Sequence, residues 1–151
     1  MRAESAADIA DVRTLFSEYA ESLGFSLCFQ SFEIELAQLP WEYAPPSGRL
    51  LLARSGVVAA GCVAMHKLED GICEMKRLYA RPQFRGTGLG RRLAEEIIAQ
   101  ARQIGYKHMR LDTVVSVMGR AVELYRALGF REIAPYRENP IPSALYMEIE
   151  L

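Results

Sequence analysis

At 151 residues, half of them apolar and a quarter charged, the chain is long enough to bury one proper core and too short for two ordinary domains, so one domain over residues 1–151 is expected. With 18 basic and 19 acidic side chains the net charge is -1, which excludes a general electrostatic pull toward nucleic acid or membrane and confines any basic character that matters to a local patch. Cys28, Cys62 and Cys73 are odd in number, lie in apolar surroundings and lack the spacing of a zinc site or disulfide framework; they read as buried thiols in a reducing cytosol. No charged-then-apolar leader opens the chain and no apolar run approaches the roughly 18 residues of a membrane span, so a soluble, cytoplasmic protein is expected, with no metal site.

Ile9, Val12, Leu15, Phe16, Tyr19 and Leu23 recur at three and four residues, the mark of an amphipathic helix, with Ser5 placed to cap its start and Gly24 to end it. A second, shorter helix is expected from Phe32 to Leu39, stopped by Pro40, with WEYAPPSG as a loop after it. From Arg49 the pattern turns β-rich. Three apolar runs separated by Ser55-Gly56 and Asp70-Gly71, both hairpin turn signals, predict an antiparallel meander whose third strand runs from Ile72 to Ala80 and ends against Pro82. After a glycine loop, Leu89, Leu93, Ile97, Ala101 and Ile104 stripe a helix that closes at Gly105. Met109, Leu111 and Thr113 then alternate with His108, Arg110 and Asp112 as a strand. Strand, helix and strand in that order make a right-handed crossover, its two strands parallel or splayed. A helix over MGRAVELYRALGF, capped at Gly129, and a last strand over SALYMEIEL complete an α/β chain on one mixed sheet.

The loop RPQFRGTGLGRR, residues 81–92, sets Gly86, Gly88 and Gly90 at alternate positions among arginines. It lies between a strand and a helix, where free backbone amides and the helix dipole favour a negative group. Glycines let phosphate oxygens approach those amides and allow positive φ, and Arg85, Arg91 and Arg92 add charge. Glycines alone equally allow a tight turn that packs a helix on a sheet. Two familiar phosphate motifs fail on spacing: Arg91 stands where a dinucleotide fingerprint needs its last glycine, and no Walker lysine lies between Lys76 and Lys107.

QFRGTGLG does match the R/Q-x-x-G-x-G/A signature of the GNAT family of acetyl-CoA-dependent acyltransferases, with Gln83, Gly86 and Gly88 in the signature places. The chain resembles that family more widely: EMKRLYARPQFRGTGLGRRLAEE is similar to its central strand, loop and helix, and AVELYRALGF to its later helix. The resemblance implies a GNAT-like fold with an antiparallel meander, a βαβ crossover and splayed central strands, in which the first strand is short or missing before Ser5. It implies that amides from Arg85 through Gly86, Thr87, Gly88 and Leu89 to Gly90, aided by Arg91, hold the pyrophosphate of coenzyme A. The pantetheine arm would run along the strand at Leu78 and Tyr79, a backbone N–H near Tyr79 holding the thioester oxygen. Gln83 stands between that role and a plain surface residue.

Acetyl transfer to an amine requires a neutral amine, donors for the oxyanion and a proton for the departing thiolate. Glu74, in the third meander strand among apolar neighbours, is the candidate base, its pKa expected to be raised by burial; the competing reading is an ion pair with Lys76 or Arg110. Tyr125 falls on the Leu-Tyr pair that in similar proteins places a phenol beside the sulfur, and is the candidate acid; otherwise it is a core aromatic beside Ala121, Val122 and Leu128. Where many members carry asparagine this chain has Met118, so Ser116 would have to supply that polar contact. No cysteine pairs by motif with His66 or His108, which favours direct transfer in a ternary complex over a covalent acyl-enzyme.

For the acceptor, a small-molecule or peptide amine, residues from Phe25 to Tyr43 and PYRENPIP are the flanking segments, with Tyr136 and Asn139 carried over from similar bacterial members. Arg131 and Arg137 either pair with an acidic acceptor or are solvated surface charges. The main alternative to an enzyme is a non-catalytic acyl-CoA sensor of the same fold, against which Glu74 and Tyr125 both argue. A nucleotide switch lacks its lysine, and nucleic-acid binding lacks an aromatic platform. Similar proteins are often homodimers.

Overall fold

The structure, a computed structural model, describes residues 1–23, 32–137 and 144–151, with the side chains of 115–118 outside that description. Gly24, Phe25, Cys28 and Asn139 therefore lie outside the described residues. Helix α1 spans Ala6–Leu23. Ser5 Oγ accepts the Asp8 amide at 3.0 Å while Asp8 Oδ2 accepts the amides of Ser5 and Glu4, a reciprocal cap, and Val12, Leu15 and Phe16 form its buried stripe. Helix α2 covers Phe32–Gln38, and a 3-10 turn at Trp41–Tyr43 follows Pro40.

The meander forms as expected: β1 is Arg49–Ser55, β2 Val58–Glu69 and β3 Ile72–Ala80, paired antiparallel in sequence. Helix α3 spans Leu89–Ile104, β4 His108–Val114, α4 Val115–Leu128, β5 Arg131–Ile133 and β6 Ala144–Glu150. One six-stranded sheet results, in the order β1-β2-β3-β4-β6-β5. Three details differ from or sharpen the sequence reading. Helix α4 begins at Val115, earlier than MGRAVELYRALGF suggests. Strand β5 was not foreseen, because three residues at a sheet edge, two of them exposed, carry no alternation to read. The family's first strand is reduced to one bridge from Arg2 to Leu51, with the Ala3 amide on Leu50 O and the Leu52 amide on Met1 O, both at 2.8 Å.

The sheet has two faces and two cores. Against one lie α3 and α4, burying Met65, Met75, Leu93, Ile97, Met109, Tyr125 and Met147; against the other lie α1 and α2, burying Val12, Leu15, Phe16, Tyr43, Leu52 and Tyr79. Among the described residues no helix is long and apolar enough to cross a membrane.

Two features of β3 shape everything downstream. It pairs with β4 in parallel only at Ile72, Glu74 and the residue between them, opposite His108 to Arg110, after which the two strands separate into a fork. A bulge sets two β3 residues, Arg77 and Leu78, opposite Val63, and Arg77 adopts φ +60° there. The bulge turns Arg77 toward α1 and α2, where its Nε and Nη2 each donate to a Glu35 oxygen at 2.9 Å and its guanidinium lies 5.2 Å from the Phe32 ring. Burial works against the Arg77 charge, but the paired Glu35 outweighs it and raises the Arg77 pKa.

Both partners of this bridge are almost wholly enclosed, at 2% and 1% side-chain exposure, so removing one strands the other in the core. Glu35→Ala should therefore cost about 3–5 kcal/mol in urea unfolding. Glu95→Ala, which breaks the half-exposed Arg91–Glu95 pair, should cost under about 0.5 kcal/mol. Equal costs would show that the buried bridge holds nothing in place.

Candidate active site

The glycine loop departs from β3 through a 3-10 turn at Pro82–Phe84. That turn consumes one expected cradle amide: the Arg85 N–H donates to Pro82 O at 3.3 Å, while the Arg85 guanidinium caps Ala80 O and lies over the Tyr79 ring. The row of amides without an acceptor among the described residues accordingly starts at Gly86. Gly86 and Gly88 have φ of +82° and +81°, where any other residue would be strained, and Gly88 is the N-cap of α3. The Thr87 hydroxyl donates to Phe84 O and locks the turn. The first helical amide to find an acceptor is that of Arg92, on Gly88 O at 3.0 Å; among the described residues the amides of Gly86 to Arg91 have no acceptor. Gln83, Arg91 and Arg92 are exposed around this row, Arg91 leaning on Glu95 at 2.7 Å. Such a row at the positive end of a helix fits a diphosphate.

The fork opens beside the cradle. Beyond Glu74 the β4-facing edge of β3 is unpaired, a strip of backbone suited to an extended arm bearing amides. Leu78 packs toward α3, whereas the Tyr79 side chain turns to α1 and donates to Glu18 at 3.2 Å, so Tyr79 offers the fork its backbone. Tyr125 comes from α4, 7% exposed and 5.7 Å from the Phe130 ring. Its hydroxyl has no hydrogen-bond partner among the described residues. Burial pushes that hydroxyl up, with the charge of Asp112 helping, so it stays protonated. Of the two sequence readings, the core aromatic is what the packing describes: Tyr125 is buried in the cluster beneath α3 and α4.

Glu74 is fully buried and anchors a cluster. Its carboxylate accepts the Tyr136 hydroxyl at 2.6 Å, the Arg137 Nη2 and the His66 Nε2 at 2.8 Å, with Lys76 Nζ 4.0 Å away. The expected rise of its pKa is reversed. Burial alone would raise it, but the His66 hydrogen bond, the Lys76 and Arg137 charges and the Tyr136 hydroxyl together outweigh burial and hold it at about 2. Of the two ion-pair partners considered, Lys76 lies near and Arg110 does not, being engaged by Glu148 at 2.8 Å and Glu69 at 3.6 Å. Burial lowers Lys76 to about 8, and burial with the Glu74 charge keeps the Tyr136 phenol protonated.

Of the acceptor-side candidates, Tyr136 and Arg137 reach this cluster from the segment before β6, while Arg131 is exposed in β5 and stays apart. Asn139 and the side chains of Ser116 and Met118 lie outside the described residues. His66, Asp112 and the Arg77–Glu35 bridge had no motif to announce them. His66 meets Glu74 because an extra residue, Leu68, bulges from β2; a regular hairpin around Asp70-Gly71 would have set Lys67 there.

The profile of the acetyltransferase (GNAT) family matches residues 10–130. A Schizosaccharomyces pombe protein named an uncharacterized N-acetyltransferase is 44% identical over 146 residues, spanning 95% of this chain and 89% of its own. An acetyltransferase of the GNAT family from Staphylococcus aureus Mu50 superposes with a TM-score of 0.83 over 99% of this chain and 96% of its own, a likeness of fold at 13% identity. A GNAT family acetyltransferase from Elizabethkingia anophelis, solved with acetyl-CoA bound, is 26% identical with a TM-score of 0.59 over 70% of this chain and 77% of its own.

With its carboxyl held at about 2 against an ordinary 4.5, Glu74 stabilises the fold fully above the ordinary value, and this is lost as pH falls from about 4.5 toward 2. The difference is worth about 3 kcal/mol. The stability gap between wild type and Glu74→Gln, read by urea unfolding, should therefore narrow from pH 7 to pH 2.5. A gap that stays constant would show that ionised Glu74 is not favoured by folding.

Proposed function

The chain belongs to the GNAT family of acetyltransferases, and from that premise we propose that it moves an acetyl group from acetyl-CoA to a primary amine of a small molecule or peptide, by direct attack in a ternary complex. The observation that carries this reading is the row of acceptor-less amides from Gly86 to Arg91 at the mouth of the β3–β4 fork. The amides, with Arg92 near them, hold the diphosphate; the free edge of β3 at Leu78 and Tyr79 holds the arm. Bound there, acetyl-CoA supplies an electrophilic thioester carbonyl. The Tyr125 hydroxyl, kept protonated by burial, holds the proton that the departing sulfur takes up. A sensor that never turned acyl-CoA over would have no use for an unbonded phenol at this place.

Glu74 is the wrong strength for a general base. Moving a proton from an alkylammonium near 10 to a carboxyl at about 2 is uphill by about 11 kcal/mol. We assign it instead the positioning of Tyr136 and Arg137, while the amine loses its proton to solvent before attack. The reaction belongs to one domain over residues 1–151 in a reducing cytoplasm; the free, buried thiols of Cys62 and Cys73 suit that compartment.

Three measurements test this reading. Tyr125→Phe should lower kcat by about 100-fold or more while coenzyme A affinity, by calorimetry, changes little. Wild-type kcat in that variant would return the phenol to packing. Gly88→Val, which forces a β-branched residue to positive φ, should weaken coenzyme A binding. Because the amine titrates in solution, kcat/KM should rise with pH along the same curve in wild type and Glu74→Gln; a profile flattened in the variant would restore Glu74 as the base.

A further inference from the structure

The end of β3 is held from the side of the sheet away from α3. Glu18 of α1, half-buried, gathers the two residues on either side of Ala80: its Oε1 accepts the Tyr79 hydroxyl at 3.2 Å and the Arg81 Nε at 3.1 Å, and its Oε2 accepts the Arg81 Nη2 at 2.8 Å. One carboxylate thus takes the Arg81 guanidinium through two hydrogen bonds, the strong, two-pronged form of an ion pair. The remaining Nη1 donates to Ala59 O at 3.0 Å, and the Arg81 backbone amide to Ala60 O at 2.9 Å. Every nitrogen of Arg81 is therefore engaged by α1 or β2.

Tyr79 is confined as closely. Its ring meets Tyr19 edge-on at 6.2 Å between centroids and lies 5.8 Å from the Arg85 guanidinium. Strand β2 runs so near that a Cβ on Gly61 would sit 2.6 Å from Tyr79 O. Arg85 in turn holds Ala80 O at 3.0 Å. The stretch from Leu78 to Arg81 ends the strip of β3 that suits an extended arm and begins the turn into the amide row at Gly86.

Holding the fold together needs less than this. Arg81 is already tied to β2 by its amide and its Nη1, so what Glu18 adds is orientation. Orientation matters here because the arm and the diphosphate of coenzyme A belong to one molecule. Each end binds at the effective concentration the other sets, so a change in the angle between strip and row costs affinity although neither surface is altered. Resting on the acetyltransferase reading above, we propose that Glu18 is a positioning residue for the acyl donor: from the opposite face of the sheet it aligns the free edge of β3 with the amide row at α3, without touching the donor.

Glu18→Gln keeps the shape of the side chain and removes its charge. Calorimetry on the folded variant should find coenzyme A bound about 10-fold more weakly, the worth of a charged hydrogen bond. By contrast 3′-phospho-ADP, which carries the diphosphate and no arm, should keep its affinity within about 2-fold. Arg81→Met should give the same pair of results, and the double variant should lose no more than the larger single loss, since one interaction is then removed twice. Should Glu18→Gln not fold, Tyr79→Phe, which deletes one of the Glu18 hydrogen bonds, carries the same comparison with a smaller loss. Unchanged coenzyme A affinity in Glu18→Gln overturns the inference. So does an equal loss for both ligands, which would make Glu18 a support of the glycine loop alone, and so do losses that add in the double variant, which would place Arg81 on the donor itself. If the wild type binds neither ligand, the acetyltransferase reading fails first and this inference with it.

Discussion

The bend in β3 at Arg77 is the constraint from which the site follows. A parallel pair of buried strands would ordinarily continue its ladder, since each unpaired buried backbone group costs free energy. Here the ladder stops after three residues, and the bulge at Arg77 bends β3 where it parts from β4. A residue with φ +60° has to be held there, and the two hydrogen bonds to Glu35 do so from inside the second core. An ion pair this deep is poor evidence of net stabilisation, because desolvating both charges costs about as much as their attraction returns. What it contributes is a fixed direction for the strand, and hence an edge that another extended molecule can pair with.

The same logic of fixed charge governs the Glu74 cluster. A fully buried carboxylate with no partners would titrate upward and become a usable base; surrounded by His66, Tyr136, Lys76 and Arg137 it titrates the other way. The choice between catalyst and fastener is thus set by neighbours, not by burial. Tyr125 stands in the opposite situation, with burial and the Asp112 charge both acting to keep its proton. Neighbours thus hold one carboxyl ionised while burial holds one phenol protonated.

Much of this fold was legible in one sequence because its signals are local. Hairpin turns at Ser55-Gly56 and Asp70-Gly71, the stripe from Leu89 to Ile104 and the alternation around Met109 each report a few neighbouring residues, and each element formed where it was expected. The glycine turn was legible too, since glycines at positive φ on a helix N-terminus announce themselves within six residues. The bulges were not. Leu68 shifts the register of β2 and brings His66 to Glu74, and Arg77 leaves the alternation of β3 to reach Glu35, 42 residues away. Nothing in the composition of those stretches marks an extra residue, and the sign of the Glu74 pKa depended on partners those shifts and the sheet order assemble.

There is a physical reason for this division between the two halves of the site. A diphosphate is gripped through backbone amides, so its site is written as missing side chains and survives in a short contiguous motif. Side chains gather differently: those around Glu74 come from β2, β3 and the segment before β6, near Asp112 of β4 only because the sheet runs β3-β4-β6-β5. Lys76, Asp112 and Arg137 occupy one face of that order without sharing any stretch of chain. Insertion of β6 between β4 and β5 is what lays Tyr146 beside Asp112 and lets its hydroxyl fix Arg137 above the fork.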